Sequence, residues 1–352
     1  MPTRVGVQEG DAMQTTARFV SPLAERAESP HQRLARLADG FLSTQLLVAA
    51  AELGIADALA DGPRTADDLA AELRADPTVL HRLLRGLAAD GVLREHRGGR
   101  FGLTDTGELM RSARYGSQRG SVLARGRLYY AAASGVADAV RGGGVPFERV
   151  HGEPFFARLS ADPQAETRFH ASMLDRSRRE ADAVVEAYDF TGIPRIVDVG
   201  GGAGVLLATL LAAATPGTEG VLFDRPTVCA QTGPGAWTVE AGDFFAAVPP
   251  GDAHVLSRVL HDWDDADASR ILRACRAAMP AHGRLVIVEA VLPERAAQDP
   301  ATTRMDLLML VLLGGRERTE AEFRTLLGAA GFALTRVAAT SAGVSVLEAR
   351  PA

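Results

Sequence analysis

No lysine occurs anywhere in the sequence, so its 38 basic residues are all arginine. That absence excludes Schiff-base chemistry and a lysine-bearing phosphate loop, because both need an amine. Cysteine is nearly as scarce. Cys229 and Cys275 stand far apart in no metal-ligand spacing, which predicts a reduced protein without a structural disulfide. No HxxxH or CxxC cluster is present, and no metal is expected. The first thirty residues hold charges from Arg4 to Arg26 and no apolar run of signal-peptide length. The most hydrophobic stretch, Leu307 to Leu313, is too short to cross a bilayer. A cytoplasmic protein outside the membrane is expected. A net charge of −6 also argues against bulk attraction to nucleic acid.

What is present suits a globular chain: 352 residues, 47% hydrophobic, enough for two domains with cores. Residues 1–30 read as a flexible tail. Residues 31–115 read as a winged helix. Leu46, Leu47, Ala50, Leu53, Ile55 and Leu59 suggest one helix with a buried stripe. Thr65 caps a second helix through Leu73, and Pro77 opens a third, with Leu80, Leu83, Leu84 and Leu87 at helical spacing. Gly91 ends it, and a two-stranded wing turns at Gly98-Gly99. This module carries eleven arginines against twelve acidic residues, so a protein-contact role is favoured over DNA binding.

Residues 116–187 read as a helical linker. From residue 188 short apolar runs alternate with helical segments, as in an α/β domain with a mostly parallel sheet. Candidate strands are Arg195–Val199, Gly220–Phe223, Thr238–Ala241, Ala253–Ser257 and Arg284–Ala290. Ala333–Ala338 and Val344–Ala349 are expected to form a terminal antiparallel hairpin.

Four motifs carry the chemistry. In "IVDVGGGAGVL" a strand runs into Gly200, Gly201 and Gly202, whose missing side chains let the backbone approach a ligand. Val205 stands where a dinucleotide fingerprint needs its third glycine, so a ligand without pyrophosphate fits better. Asp224 ends the next strand, where a carboxylate can accept both ribose hydroxyls of an adenosine; the alternative is a turn aspartate before Pro226. Asp243 follows the third strand and can accept an adenine amino group, with Phe244 against the ring. Alone, that pair reads better as an Asp-turn beside two core phenylalanines. His261, in "LSRVLHDWDD", follows the fourth strand at the same sheet edge and is a candidate general base. Glu289 and Glu317 are candidate partners for its far ring nitrogen.

Together "VDVGGGAG", "LFDRP", "GDFF", "VLHDWDD", "VIVEAVLP" and "GGRERTEAEF" resemble the caffeate-type O-methyltransferase family, in its bacterial natural-product branch. The resemblance covers about residues 32 to 350. It implies a Rossmann-like S-adenosylmethionine (SAM) dependent methyltransferase domain, with a seven-stranded mostly parallel sheet, behind a winged-helix dimerisation domain. It implies a homodimer. It implies cofactor contacts at Gly200, Asp224, Arg225, Asp243 and Phe244, with Trp263 closing over the cofactor. The base carries over onto His261, with Asp262 beside it and Glu289 and Glu317 flanking it. Substrate-lining methionines map onto Met173 and Met309, and Phe156 and Phe169 are candidate walls; core packing is the alternative for all four. Many members carry lysine four residues before the histidine, where this chain has Ser257, whose hydroxyl can still reach the cofactor.

The expected reaction is methyl transfer from SAM to a hydroxyl on a small aromatic molecule, leaving S-adenosylhomocysteine. Two other readings stay open at this point: a SAM-binding relative that decarboxylates or hydroxylates an aromatic polyketide, and a winged-helix DNA-binding regulator.

Overall fold

The computed structural model describes residues 28–352, without the side chains at positions 164, 165, 167, 168, 170–172 and 175 inside one helix. The flexible tail expected over residues 1–30 falls, through residue 27, outside the described residues. The chain divides into two compact units, Met1–Leu42 and Ser43–Ala352. In the first, helix α1 (Pro30–Ala38) starts at a capping box. The Ser29 hydroxyl accepts from the Gln32 amide while the Gln32 side chain accepts from the Ser29 amide, and Pro30 sits where its missing N–H costs nothing.

Helix α2 (Gly40–Leu53) carries residues from Ser43 into the second unit. The single helix expected from Leu46 to Leu59 is broken. Gly54 adopts φ +72°, which ends α2, and a separate turn follows at Ile55–Ala58. Ala50, Ile55 and Leu59 are still buried together, but Leu53 is exposed. Strand β1 (Arg64–Thr65) precedes α3 (Ala66–Leu73), where Thr65 Oγ1 accepts from the Asp68 amide. Helix α4 (Pro77–Ala89) buries Leu80, Leu84 and Leu87 behind an Asp76 cap. The wing is β2 (Leu93–His96) and β3 (Arg100–Leu103), turning through Gly98 and Gly99, both at positive φ. β1 pairs with β3 and makes the sheet three-stranded; two residues are too few for sequence periodicity to reveal.

Short helices then lead to α5 (Pro163–Ala187). The last turns of α5 bury Ala181 and Val184 against the central sheet. That sheet starts with β4 (Arg195–Val199), then α6 (Val205–Ala213), β5 (Glu219–Asp224), β6 (Thr238–Ala241) and β7 (Ala253–Ser257). After α7 (Asp265–Ala277) come β8 (Arg284–Glu289), β9 (Val291–Leu292), α8 (Pro300–Leu312), β10 (Arg318–Thr319) and α9 (Glu320–Ala329). The hairpin β11 (Phe332–Ala339) and β12 (Ser345–Pro351) closes the chain.

The strand order is β11-β12-β8-β7-β4-β5-β6, parallel except where β12 meets β8 and β11. This is a Rossmann-like architecture with a terminal antiparallel hairpin. β4, β7 and β8 are apolar runs because helices cover both faces of the sheet. Leu256, Ile271, Leu272 and Phe323 fill one face; Phe190, Ile196, Leu207 and Leu222 fill the other. β4 pairs with β5 on one side and β7 on the other, so the order reverses at β4. A ligand cleft is expected beyond the carboxyl ends of strands at such a switch point. No single helix among the described residues is long and apolar enough to cross a membrane.

Candidate active site

Three glycines shape the turn after β4. Gly200, Gly202 and Gly204 all adopt positive φ. The Gly200 amide donates to Phe223 O at 2.8 Å, and the Gly202 amide donates to Asp224 Oδ2 at 2.9 Å. The other carboxylate oxygen of Asp224 accepts from the Arg225 amide at 2.7 Å. Asp224 therefore stands at the tip of β5 and ties it to the glycine turn. At Gly202 a Cβ would protrude into open space, whereas at Gly204 it would strike Trp237 at 2.6 Å. Gly202 thus leaves room for a ligand, while Gly204 serves packing. Thr232, which sequence reasoning missed, donates its hydroxyl to Gly202 O at 3.2 Å.

Asp243 Oδ1 accepts from the Phe245 amide at 2.9 Å, which is the Asp-turn left open as an alternative. Phe244 does join Trp263: their ring centroids lie 6.0 Å apart, edge to face, with Phe245 between them. The Arg225 guanidinium lies 5.1 Å from the Phe156 ring centroid, and Phe156, Phe169 and Arg225 line one small cavity. Ser257 ends β7 half-buried. Met173 is half-buried on α5, and Met309 is buried on α8. These residues fit an adenosine-bearing ligand: a side-chain-free turn, a carboxylate at the next strand tip, and aromatic faces beyond it.

One carboxylate beneath the turn has a thermodynamic consequence. Asp198, on β4, is buried with Oδ2 unpartnered among the described residues. Burial, with the Asp224 charge beside it, pushes Asp198 up to about 7. Burial likewise raises Glu317 to about 7 and Asp262 to about 6. A carboxyl raised in the folded state binds its proton more tightly there than in the unfolded chain. Its contribution is present below the unfolded value and lost as pH rises through the folded one. The cofactor-free protein should therefore unfold at lower urea concentration at about pH 8 than at about pH 5.5. Asp198→Asn should flatten that slope, and a slope of opposite sign would contradict these assignments.

The imidazole of His261 is buried where β7 gives way to a short 3₁₀ turn, Leu260–Asp262. Its Nδ1 lies 2.8 Å from Glu317 Oε1. Glu289, at the end of β8, lies beside the ring and also holds the backbone. Its Oε1 accepts from the amides of Val259, Leu260 and His261 at 3.0, 3.0 and 3.4 Å, and its Oε2 stays 3.5 Å from Nδ1. Glu289 pins the backbone that presents the ring, and Glu317 is the ring's closer partner. Asp262 Oδ1 lies 3.4 Å from Nε2, the nitrogen that Glu317 leaves free. The sequence held no metal motif, yet the fold gathers ligand atoms of His261, Glu289 and Glu317 within 4.8 Å of one another.

Four further residues build this nest without any local sequence signal. Arg258 adopts φ +55°, rare for a residue other than glycine, and turns its half-buried guanidinium toward two acids. Its NH2 donates to Glu180 Oε1 at 2.8 Å, and its NH1 lies 3.6 Å from Glu317 Oε1. Burial opposes the charge on Arg258, but Glu180, Glu289 and Glu317 together hold its pKa above the usual arginine value. Arg318, buried, donates to Leu260 O and Trp263 O at 2.9 Å and pairs with Asp265. Asp306 on α8 accepts from the Glu317 amide at 2.9 Å. A parallel pairing of β9 with β10 sets Glu317 near the end of β8.

A Gly315 Cβ would lie 2.1 Å from His261 O, and the Arg316 amide donates to that same oxygen at 2.9 Å. Gly315→Ala must displace the His261 backbone. We expect kcat to fall by about 100-fold with little change in cofactor affinity, as a misplacement of about 1 Å costs. Steady-state kinetics beside calorimetry with S-adenosylhomocysteine would check it.

Comparison with known proteins adds the family. An O-methyltransferase domain model matches residues 134–333, and an O-methyltransferase dimerisation domain model matches residues 35–112. The chain is 43% identical over 329 residues to phenazine O-methyltransferase PhzM of Lysobacter antibioticus, covering 90% of this chain and 95% of that protein. It is 40% identical to O-demethylpuromycin-O-methyltransferase of Streptomyces alboniger, covering 91% and 89%. Among solved structures, NcsB1, an O-methyltransferase from neocarzinostatin biosynthesis in complex with SAM and 2-hydroxy-5-methyl naphthoic acid, superposes with a TM-score of 0.77. It is 32% identical, and the match covers 93% of this chain and all of that one.

Proposed function

This chain belongs to the SAM-dependent O-methyltransferase family, and from that premise we propose that it methylates a hydroxyl of a small aromatic natural product with His261 as the base. SAM supplies a sulfonium-bound methyl group open to displacement. The chain's own residues then have three tasks.

The first is to hold the cofactor. Gly200, Gly201 and Gly202 line the turn, Asp224 takes the ribose hydroxyls, and Asp243 with Phe244 takes the adenine. Arg225, Ser257 and Trp263 complete the cofactor contacts. The second is to hold the acceptor, between Phe156, Phe169, Met173 and Met309. The third is to remove the acceptor's proton. With Glu317 ionised, Nδ1–H donates to its carboxylate and leaves the Nε2 lone pair as the acceptor of the hydroxyl proton. The single observation that carries this reading is the 2.8 Å contact between His261 Nδ1 and Glu317 Oε1. Glu289 fixes the ring's backbone, and Asp262 faces the imidazolium once it forms.

We further propose a homodimer joined through the dimerisation domain, the division at residues 30, 115 and 187, and a cytoplasmic location; free Cys229 and Cys275 suit the last. The test is methyl transfer from labelled SAM to a panel of phenolic and polyketide acceptors. Label should appear in an ether. Tight binding of S-adenosylhomocysteine with no transfer to any aromatic hydroxyl would overturn the reading.

A further inference from the structure

On α5, Phe169, Met173, Arg176 and Glu180 recur at helical spacing and share one face. Glu180 is committed to Arg258. Arg176, one turn earlier, makes neither an ion pair nor a hydrogen bond among the described residues, although it is partly buried. Its unpaired nitrogens keep some exposed surface. Its charge reaches the nest: it acts on Asp262 and on Glu317, and Tyr129 feels it too. Burial, then the like charges of Arg258 and Arg125, make the cation on Arg176 costly to hold.

Glu180 relieves it only in part, and the nearby acids are already engaged. Glu289 serves three backbone amides, Glu317 the imidazole, and Glu180 Arg258. Asp262 faces His261 Nε2. Arg125 adds a second cation, donating among the described residues only to Ser121 O, at 3.2 Å, one turn earlier. It opens a π-turn, Arg125–Tyr129, whose Gly126 is pressed against Val48. None of these acids forms an ion pair with Arg176 among the described residues.

Resting on the acceptor cleft proposed above, we propose that Arg176 selects acceptors bearing a carboxylate, and holds that group while the hydroxyl faces His261. A guanidinium matches a carboxylate with two parallel hydrogen bonds, which also fixes the ring's orientation. The anion is the acceptor's and not the cofactor's amino-acid end. The charges that act most on Arg176 belong to Arg258, to Glu180 on α5 and to Arg125 on the π-turn.

The experiment measures kcat/KM for hydroxylated benzoic and naphthoic acids, each beside its primary carboxamide, with neutral phenols included. Wild type should prefer the acids by about 10- to 100-fold. Arg176→Gln should erase that preference, Arg176→Lys should keep part of it, and both should bind S-adenosylhomocysteine as wild type does. Acids and amides used equally, or a preference surviving in Arg176→Gln, would overturn the proposal and leave the methyltransferase reading intact. Loss of S-adenosylhomocysteine binding in Arg176→Gln would assign the guanidinium to the cofactor and overturn it as well. Failure of every acceptor, neutral phenols included, would sink the parent reading and this one with it.

Discussion

His261→Ala should lower kcat by about 10²–10⁴-fold, the usual worth of a positioned general base, and leave S-adenosylhomocysteine affinity nearly unchanged. The sulfonium is already a good leaving group. Alignment of the two reactants, which the variant keeps, supplies the remainder of the acceleration. The pH profile gives a second readout. Glu317 is pushed up to about 7 by burial, against the pull of Arg258. Its ionised form is the one whose charge favours the imidazolium. Wild-type kcat should therefore climb between about pH 6 and about pH 8, and His261→Ala should lose that limb. A variant that retained wild-type rate near neutral pH would falsify the base assignment.

Asp224→Ala should weaken S-adenosylhomocysteine binding by about 3 kcal/mol, or about 100-fold in Kd. Two losses combine. The ribose hydroxyls lose a charged acceptor, and the Gly202 amide loses the oxygen 2.9 Å away that holds the glycine turn in shape. Asp224→Asn keeps one acceptor and should fall between the two. Calorimetry would settle it: equal affinity in wild type and both variants would mean that the carboxylate is only a turn residue. Far-ultraviolet circular dichroism separates that outcome from misfolding.

The two carboxylates near His261 teach opposite lessons. Both could be named from their motifs, but their roles could not. Glu289 ends a strand, and the adjacent strand end exposes three amides in a tight turn, so its oxygen goes to them. Glu317 sits in a loop whose course is set by the β9–β10 pair, by Asp306 and by the side-chain-free Gly315. Arg258 stands three residues before the histidine, yet its partner Glu180 is 78 residues away. No local pattern could connect them. In the winged helix, apolar spacing found the buried face but not the break at Gly54, because glycine is tolerated inside a helix until tertiary packing demands the left-handed turn.

Local chemistry alone determined the alternation of apolar strands with helices, the helix starts at Thr65 and Pro77, and the glycine turn with a carboxylate at the next strand tip. These depend on residues within a few positions of one another, where steric freedom and hydrogen bonding act directly. Tertiary structure alone decided which oxygen meets the imidazole, which acid serves the backbone, and which arginine is left without a counter-ion. Those outcomes depend on distances between segments far apart in the chain, and a charge's partner is fixed only when folding closes those distances and removes the water between them.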